Sequence, residues 1–423
     1  MVDAALREGT ADRECLFEAF ARRLPGARKY GVLVGTGRLL EEIPRFRFHE
    51  PELDYLAREN VVSPSTIDWL ANYRFSGDIW GYTEGEVYFP NSPLLTVHAG
   101  FAEGVLLETL VLSILNYDSA VANAASRMVT AAKGRPLAEM GSRRANEWAA
   151  VSAARSAYIA GFDSTSNLEA GRRWGVPTMG TAAHSFTLLH DTEEDAFRAQ
   201  VAANGPGTTL LVDTYDIRQG VENAVRAAGP ELGAVRIDSG DLGTLVGEVR
   251  RQLDDLGAVN TKITVTNDLD EHAIAALAVA PVDSYGVGTS VVTGSGAPAA
   301  GMVYKLVARR DDAGSRWVSV AKASAGKESR GGFKTASRTL SDGIAVEESV
   351  AVHDGPVPLP EPASGRGLTV PLMTAGAVEA GLTGAEGTAR ARAHRADALA
   401  QLPAGAFRLG RGEPILPTVI TDA

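Results

Sequence analysis

The chain has 423 residues, 45% hydrophobic and 22% charged, with a net charge of -11. This is a globular composition with room for two or three domains, and the acidic balance excludes nucleic acid or an anionic membrane as the main partner. The single cysteine, Cys15, excludes an intrachain disulfide and a cysteine-based metal cluster. No apolar run approaches the ~20 residues of a spanning helix, and no signal-like start is visible, so a reducing cytoplasm is expected.

Residues 1–24 read as a helix and then a strand carrying Phe17 and Phe20. The fragment Gly35-Thr36-Gly37 closes a strand but is too short for a dinucleotide fingerprint. Residues 50–75 are helical with a break at Pro64, and residues 78–98 alternate as short antiparallel strands. Together they predict an α+β domain over 1–120. A long helix follows over 101–132, with Leu106, Leu110, Ile114 and Tyr117 on one face.

From residue 158 a rhythm sets in. Short apolar runs at 158–163, 177–183, 208–212, 235–237, 262–265 and 284–286 each end in polar residues or glycine, most before a helical stretch. Strands alternating with helices predict a parallel sheet, here a (β/α)₈-type barrel over 121–310 with 302–309 as its last strand. An open doubly wound sheet is the alternative. The segment Lys322 to Arg330 is basic and glycine-rich: a mobile anion-binding loop or a solvated linker. The helix 388–400, with Arg390, Arg392, His394 and Arg395, reads as a solvated face.

The chemistry collects at the strand ends. Arg236-Ile-Asp-Ser-Gly-Asp241 stands where a strand meets a helix N-terminus. Free N–H groups there favour an anion, Arg236 adds a planar donor fork, and Asp238 and Asp241 suit sugar hydroxyls or a hydrated Mg²⁺. The competing reading is an ordinary loop with an N-cap aspartate. His184 follows a run of small residues at another strand end; it is a structural histidine, an acid–base group or a nucleophile. Arg143 and Arg144 precede a helix, as surface charge or anion ligands. Asn267-Asp268 caps a helix or faces the same site. Gly286-Val-Gly288-Thr289 is a bare turn or a phosphate loop. Taken together, these residues suit a phosphorylated sugar.

Four stretches read in order, Gly161-Phe-Asp-Ser-Thr-Ser-Asn-Leu-Glu-Ala-Gly171, Gly180-Thr-Ala-Ala-His-Ser-Phe186, Arg236-Ile-Asp-Ser-Gly-Asp241 and Tyr285-Gly-Val-Gly-Thr289, resemble nicotinate phosphoribosyltransferase. The resemblance runs from about Phe17 to Arg330. It implies an irregular α/β barrel with an N-terminal α+β domain that C-terminal segments, 311–423, pack back on and complete. It also implies a homodimer, and a reaction joining nicotinate to 5-phosphoribosyl 1-pyrophosphate, with ATP as co-substrate and Mg²⁺ as cofactor; the metal ligands are open. By the same resemblance His184 is phosphorylated, and Arg236 and Asp238, with Ser239 and Gly240 of their motif, hold ribose and phosphate. Gly286, Gly288 and Thr289 receive the 5'-phosphate near Asn267 and Asp268, Arg143 lies by the pyridine carboxylate, and Thr165 and Ser166 line the pyridine site. A serine at 166 tolerates a carboxylate that an acid would repel, which favours nicotinate over nicotinamide.

Chains of this family begin upstream with an Asp-x-Tyr-Glu-Leu-like stretch, so Met1 is expected to fall inside that segment, without its pyridine-stacking aromatic residue. The alternatives are a nicotinamide or quinolinate phosphoribosyltransferase, or a non-catalytic mononucleotide-binding protein.

Overall fold

The computed structural model describes residues 1–322, 330–359, 361 and 365–423. The basic segment Lys322 to Arg330 therefore lies almost wholly outside the described residues. The chain forms two compact units, Met1–Ala120 with Ala297–Ala423, and Val121–Gly296.

The first unit is built on a seven-stranded antiparallel sheet. Its order is Trp317–Ser319, Met302–Arg310, Glu14–Ala21, Leu95–Gly100, Asp78–Tyr82, Thr369–Thr374 and Ala377–Val378. Glu14–Ala21 is central and buried along nearly its whole length, so beyond exposed Glu14 it is apolar on both faces except at Glu18, whose buried carboxylate accepts from Lys334. Phe17 stacks on Tyr304 of the neighbouring strand, ring centroids 5.2 Å apart. That pairing corrects one expectation: Met302–Arg310 is not a barrel strand but lies antiparallel to Glu14–Ala21, with Phe17 opposite Leu306.

A four-stranded sheet, Arg366–Gly367, Phe333–Ser341, Ile344–His353 and Thr418–Asp422, carries buried charge. Arg338 reaches Glu86 Oε1 and Glu348 Oε2 at 2.6 Å each, and Arg366 and His394 both bind Glu86 Oε2, at 2.6 and 2.7 Å. Burial works to raise the Glu86 pKa. The hydrogen bonds from His394 and Arg366 and the charges of Arg338 and Arg366 outweigh it, and the carboxyl is held well below the usual range. The helix Gly384–Ala400 is thus not a plain solvated face, since Arg395 is buried and His394 serves this network.

Gly35-Thr36-Gly37 opens the short helix Thr36–Glu42, and Glu84 takes the Gly35 and Gly37 N–H groups at 2.7 and 3.1 Å. A cavity of about 280 Å³ beside it is lined mainly by aliphatic side chains and backbone, including Leu40, Val370 and Leu372.

The helix Phe101–Ala132 contains an 18-residue stretch apolar enough to cross a membrane, contrary to the reading of its sequence, but half of that stretch is buried within the fold. Asp118, Ser119, Asn123 and Ser126 are buried along it, as suits a core helix with polar partners.

The second unit carries a six-stranded parallel sheet. Its order is Ser164–Thr165, Leu137–Glu139, Ser284–Val287, Lys262–Val265, Ala234–Ile237 and Thr209–Leu211. Six parallel strands form a curled half-barrel rather than the eight of a closed barrel. Several of the helices between them start at side-chain caps: Asn146, Asn167, Thr192, Asp216 and Asp270 each accept a backbone N–H of the first turn, whereas Asp241, at the start of Leu242–Asp255, makes no such bond. Because every strand is parallel, all six C-terminal ends open on one edge of the sheet, and their polar termini are gathered there.

Candidate active site

A cleft of about 480 Å³ opens at those strand ends. Ten expected residues line it: Arg143, Ser166, His184, Arg236, Asp238, Asn267, Asp268, Gly286, Gly288 and Thr289. Nine come from five strand ends, distant in sequence and adjacent in the sheet, and His184 from the start of a short helix.

Arg236 and Asp238 sit two residues apart on and just past Ala234–Ile237, so both face the cleft. The Arg236 guanidinium spends its fork on three neighbours: Nε on Thr266 Oγ1 at 3.0 Å, Nη1 on Thr181 Oγ1 at 2.6 Å and Nη2 on Asp238 Oδ1 at 3.2 Å. Thr266, at the end of the adjacent strand, donates in turn to Asp238 Oδ1. Burial alone raises the Asp238 pKa; the Thr266 hydrogen bond, the Arg236 charge and nearby His184 outweigh it and hold the carboxyl below its ordinary value. Asp238 is therefore an anion at neutral pH, and its second oxygen remains for a ligand.

His184 begins the short helix His184–Leu188. Its Nδ1 is 3.1 Å from Thr214 Oγ1, and its Nε2 stands 3.8 Å from both Asp213 Oδ1 and Asp238 Oδ2. Two carboxylates on one side favour a proton on Nε2. In that tautomer the lone pair lies on Nδ1, and the Thr214 hydroxyl would donate to it.

Three expected contacts are not on the cleft wall. Thr165 is buried and donates to Glu139 Oε2 at 2.6 Å, and Ser239 donates to Asp213 Oδ2 at 2.6 Å. Gly240 supplies a left-handed turn, φ 82°, that carries the chain into the next helix. Nor do Asn267 and Asp268 cap a helix, since Asp270 does that. Asn267 has φ 97°, uncommon for a residue with a Cβ, and its Oδ1 accepts the Asp268 N–H at 2.9 Å.

Four contributors escaped the sequence reading. Asp213 is 8% exposed; one oxygen takes the Asp238 N–H and the Ser239 hydroxyl, and the other has no hydrogen-bond partner among the described residues. Thr214, Thr181 and Thr266 hold His184 and Arg236. Asp213 carried a signal, an acid closing a strand as Asp238 does. The threonines carried none, because their role is set by strands far apart in sequence.

The family model for the nicotinate phosphoribosyltransferase (NAPRTase) N-terminal domain matches residues 1–116. Nicotinate phosphoribosyltransferase pncB1 of Mycobacterium tuberculosis is 56% identical over 427 residues, covering 99% of this chain and 92% of the relative. The Bacillus subtilis nicotinate phosphoribosyltransferase is 37% identical over 322 residues, 74% of this chain and 65% of the relative. The crystal structure of human nicotinic acid phosphoribosyltransferase superposes with a TM-score of 0.82 at 25% identity, covering 100% of this chain and 96% of that one. Identity at this level across nearly the whole length settles the matter: the chain belongs to the nicotinate phosphoribosyltransferase family.

Proposed function

We propose that the chain transfers the phosphoribosyl group of 5-phosphoribosyl 1-pyrophosphate to nicotinate, giving nicotinate mononucleotide and pyrophosphate for NAD salvage, and that ATP drives the transfer through His184. The observation that carries this reading is the convergence of His184, the Arg236–Asp238 pair and the Gly286–Thr289 strand end on one cleft.

The ring nitrogen of the pyridine attacks ribose C1'. The bond from C1' to pyrophosphate oxygen breaks, and pyrophosphate leaves with the electron pair. Positive charge develops on the ribosyl centre, where the Asp238 carboxylate stabilises it and accepts a ribose hydroxyl. Arg236 has two N–H groups left over from its protein partners, one on each Nη, for phosphate oxygens. Gly288 and the Thr289 hydroxyl take the 5'-phosphate. Arg143 and Arg144 are exposed on the cleft wall and supply local positive charge that the acidic chain otherwise lacks.

In the ATP half-reaction the Nδ1 lone pair of His184 attacks the γ-phosphorus. An N–P bond forms, the bond to the β-phosphate oxygen breaks, and ADP leaves with that electron pair. Water later cleaves the N–P bond and releases phosphate. In this half-reaction Asp213 and Asp238, which face Nε2, keep the proton there.

Among the described residues no cluster of three or more His, Cys, Asp or Glu forms a metal cage. The unpartnered oxygen of Asp213 and the outer oxygen of Asp238 fit Mg²⁺ in its usual role, held by one or two carboxylates plus water and phosphate. Bound there, it would neutralise charge on the leaving pyrophosphate.

Ser166 faces the cleft without a charge of its own, which supports a carboxylate-bearing pyridine. Trp148, Leu168, Leu188, Leu189 and Tyr215 are exposed on the elements that follow the strand ends and support a homodimer through that face. The substrate claim is tested by supplying nicotinate, nicotinamide and quinolinate in parallel with 5-phosphoribosyl 1-pyrophosphate. Nicotinate mononucleotide formed from nicotinate alone supports it. Preference for either other pyridine overturns it.

A further inference from the structure

We propose that Glu139 is a positioning residue for the pyridine carboxylate: its buried side chain ties the turn that carries Arg143 to the strand end that carries Ser166. The inference rests on the reading above that these two residues meet nicotinate, and it assigns what fixes their spacing.

Glu139 closes the strand Leu137–Glu139 and is fully buried. Among the described residues its carboxylate forms no ion pair, and burial pushes its pKa up. A buried carboxyl without a cation is costly unless its oxygens are hydrogen-bonded. Here each oxygen holds a different loop. Oε1 accepts the Gly141 N–H, and Oε2 accepts the Thr165 hydroxyl at 2.6 Å.

From these two anchors the contacts run to the cleft and close on each other. Gly141 leads through Ser142 to Arg143. Thr165 Oγ1 accepts the Asn167 N–H at 3.0 Å, spanning Ser166, and the Ser166 N–H donates to the Glu139 carbonyl at 2.9 Å. Asn167 Nδ2 then donates to Ser142 Oγ at 3.0 Å. Arg143 and Ser166, both on the cleft wall, are thus held by one ring of hydrogen bonds with the Glu139 carboxylate at its base.

The two sides of the ring are not equally stiff. A Cβ at Gly141 would stand 2.3 Å from Val292 Cγ1 and 2.7 Å from the Gly288 carbonyl oxygen, and the Met140 N–H donates to the Val287 carbonyl at 2.8 Å. That turn stays seated against the Gly286–Thr289 loop by packing and backbone bonds. Thr165 belongs to a strand of two residues, and its hydroxyl is what holds Asn167. Loss of the Glu139 carboxyl therefore releases the Ser166 side first. A carboxylate shared between Arg143 and Ser166 depends on their spacing, since charge-assisted hydrogen bonds are geometrically demanding. The groups assigned to 5-phosphoribosyl 1-pyrophosphate, Arg236, Asp238 and the Gly286–Thr289 loop, keep their places.

The test compares wild type with Glu139→Met, Glu139→Gln, Thr165→Val and Thr165→Ser, reading KM for nicotinate and KM for 5-phosphoribosyl 1-pyrophosphate in each. Glu139→Met keeps the volume and loses both acceptors; its KM for nicotinate should rise about a hundredfold, the scale of a displacement of about 1 Å in a positioning group, with KM for the phosphoribosyl donor unchanged. Thr165→Val cuts one arm and should raise KM for nicotinate about tenfold, the worth of one hydrogen bond to a charged group. Glu139→Gln should behave as wild type, because its amide donates to a Thr165 hydroxyl that has a second lone pair. Thr165→Ser should also restore the wild-type value. If Glu139→Met does not fold, Thr165→Val decides alone. An unchanged KM for nicotinate in Thr165→Val, an equal rise in both KM values, or a Glu139→Gln that fails as a loss of charge would each overturn the proposal. Wild type with no preference for nicotinate over nicotinamide would overturn the substrate reading and this proposal with it, so the two failures are distinguishable.

Discussion

His184 Nε2 lies 3.8 Å from Asp238 Oδ2, while the other oxygen of that carboxylate is claimed by Arg236 and Thr266. The aspartate thus faces the ring with one oxygen and is fixed by the other. A carboxylate so held is already oriented before substrate arrives, and that preorganisation is what electrostatic stabilisation of a developing cation needs.

Asp238→Asn keeps the shape and removes the charge. Turnover per 5-phosphoribosyl 1-pyrophosphate, read as kcat/KM, should fall about a hundredfold, the scale of one or two charge-assisted hydrogen bonds. The pH dependence has a fixed sign. The folded pKa lies below the ordinary 3.8, so the contribution of Asp238 to stability is present above that value and is lost as pH falls through the folded pKa. Melting temperature against pH should show this loss in wild type and not in Asp238→Asn.

Gly286 is required for packing. A Cβ there would stand 2.6 Å from Thr266 Cγ2 and 2.8 Å from Met140 Sδ. Gly286→Ala should cost about 1–3 kcal/mol in urea unfolding. Because Thr266 holds both Arg236 and Asp238, its displacement should also raise the KM for 5-phosphoribosyl 1-pyrophosphate. Lost stability with unchanged kinetics would show that Thr266 does not position the pair.

Much of this site was legible in the sequence, and the reason is geometric. Strand ends in a parallel sheet all point to one edge, so polar residues closing each apolar run, such as Asp238, Asn267 and Gly288, meet there whatever their separation along the chain. What was not legible was pairing. Met302–Arg310 has the composition of a barrel strand, but its partner is Glu14–Ala21, nearly 300 residues away, and no local periodicity records that. Side-chain direction was equally hidden. Thr165 and Ser166 look alike in a polar loop, yet Thr165 turns inward to Glu139 while Ser166 faces the cleft. His394 sits in an arginine-rich helix that resembles a solvated surface, and only the fold brings it to Glu86.

Glu86 offers a stability test away from the cleft. It meets Arg338, Arg366 and His394, and Arg338 is fully buried. Glu86→Ala would leave buried positive charge undercompensated and should cost about 3–5 kcal/mol in denaturant unfolding. A cost under about 1 kcal/mol, the range of an exposed pair, would show that the network is incidental.

Ser166→Asp tests the pyridine pocket. A carboxylate at 166 would oppose the carboxylate of nicotinate, and a like-charge pair in a partly desolvated site costs several kcal/mol. The KM for nicotinate should rise more than about a hundredfold, with nicotinamide affected far less. Equal effects on both pyridines would remove Ser166 from the discrimination.

The most direct test of the central claim is product formation by wild type and His184→Ala, each with nicotinate, 5-phosphoribosyl 1-pyrophosphate and Mg²⁺, with and without ATP. The account predicts nicotinate mononucleotide from wild type that rises with ATP, and no ATP stimulation in His184→Ala. Equal ATP stimulation in both proteins, or no product from wild type, would contradict it.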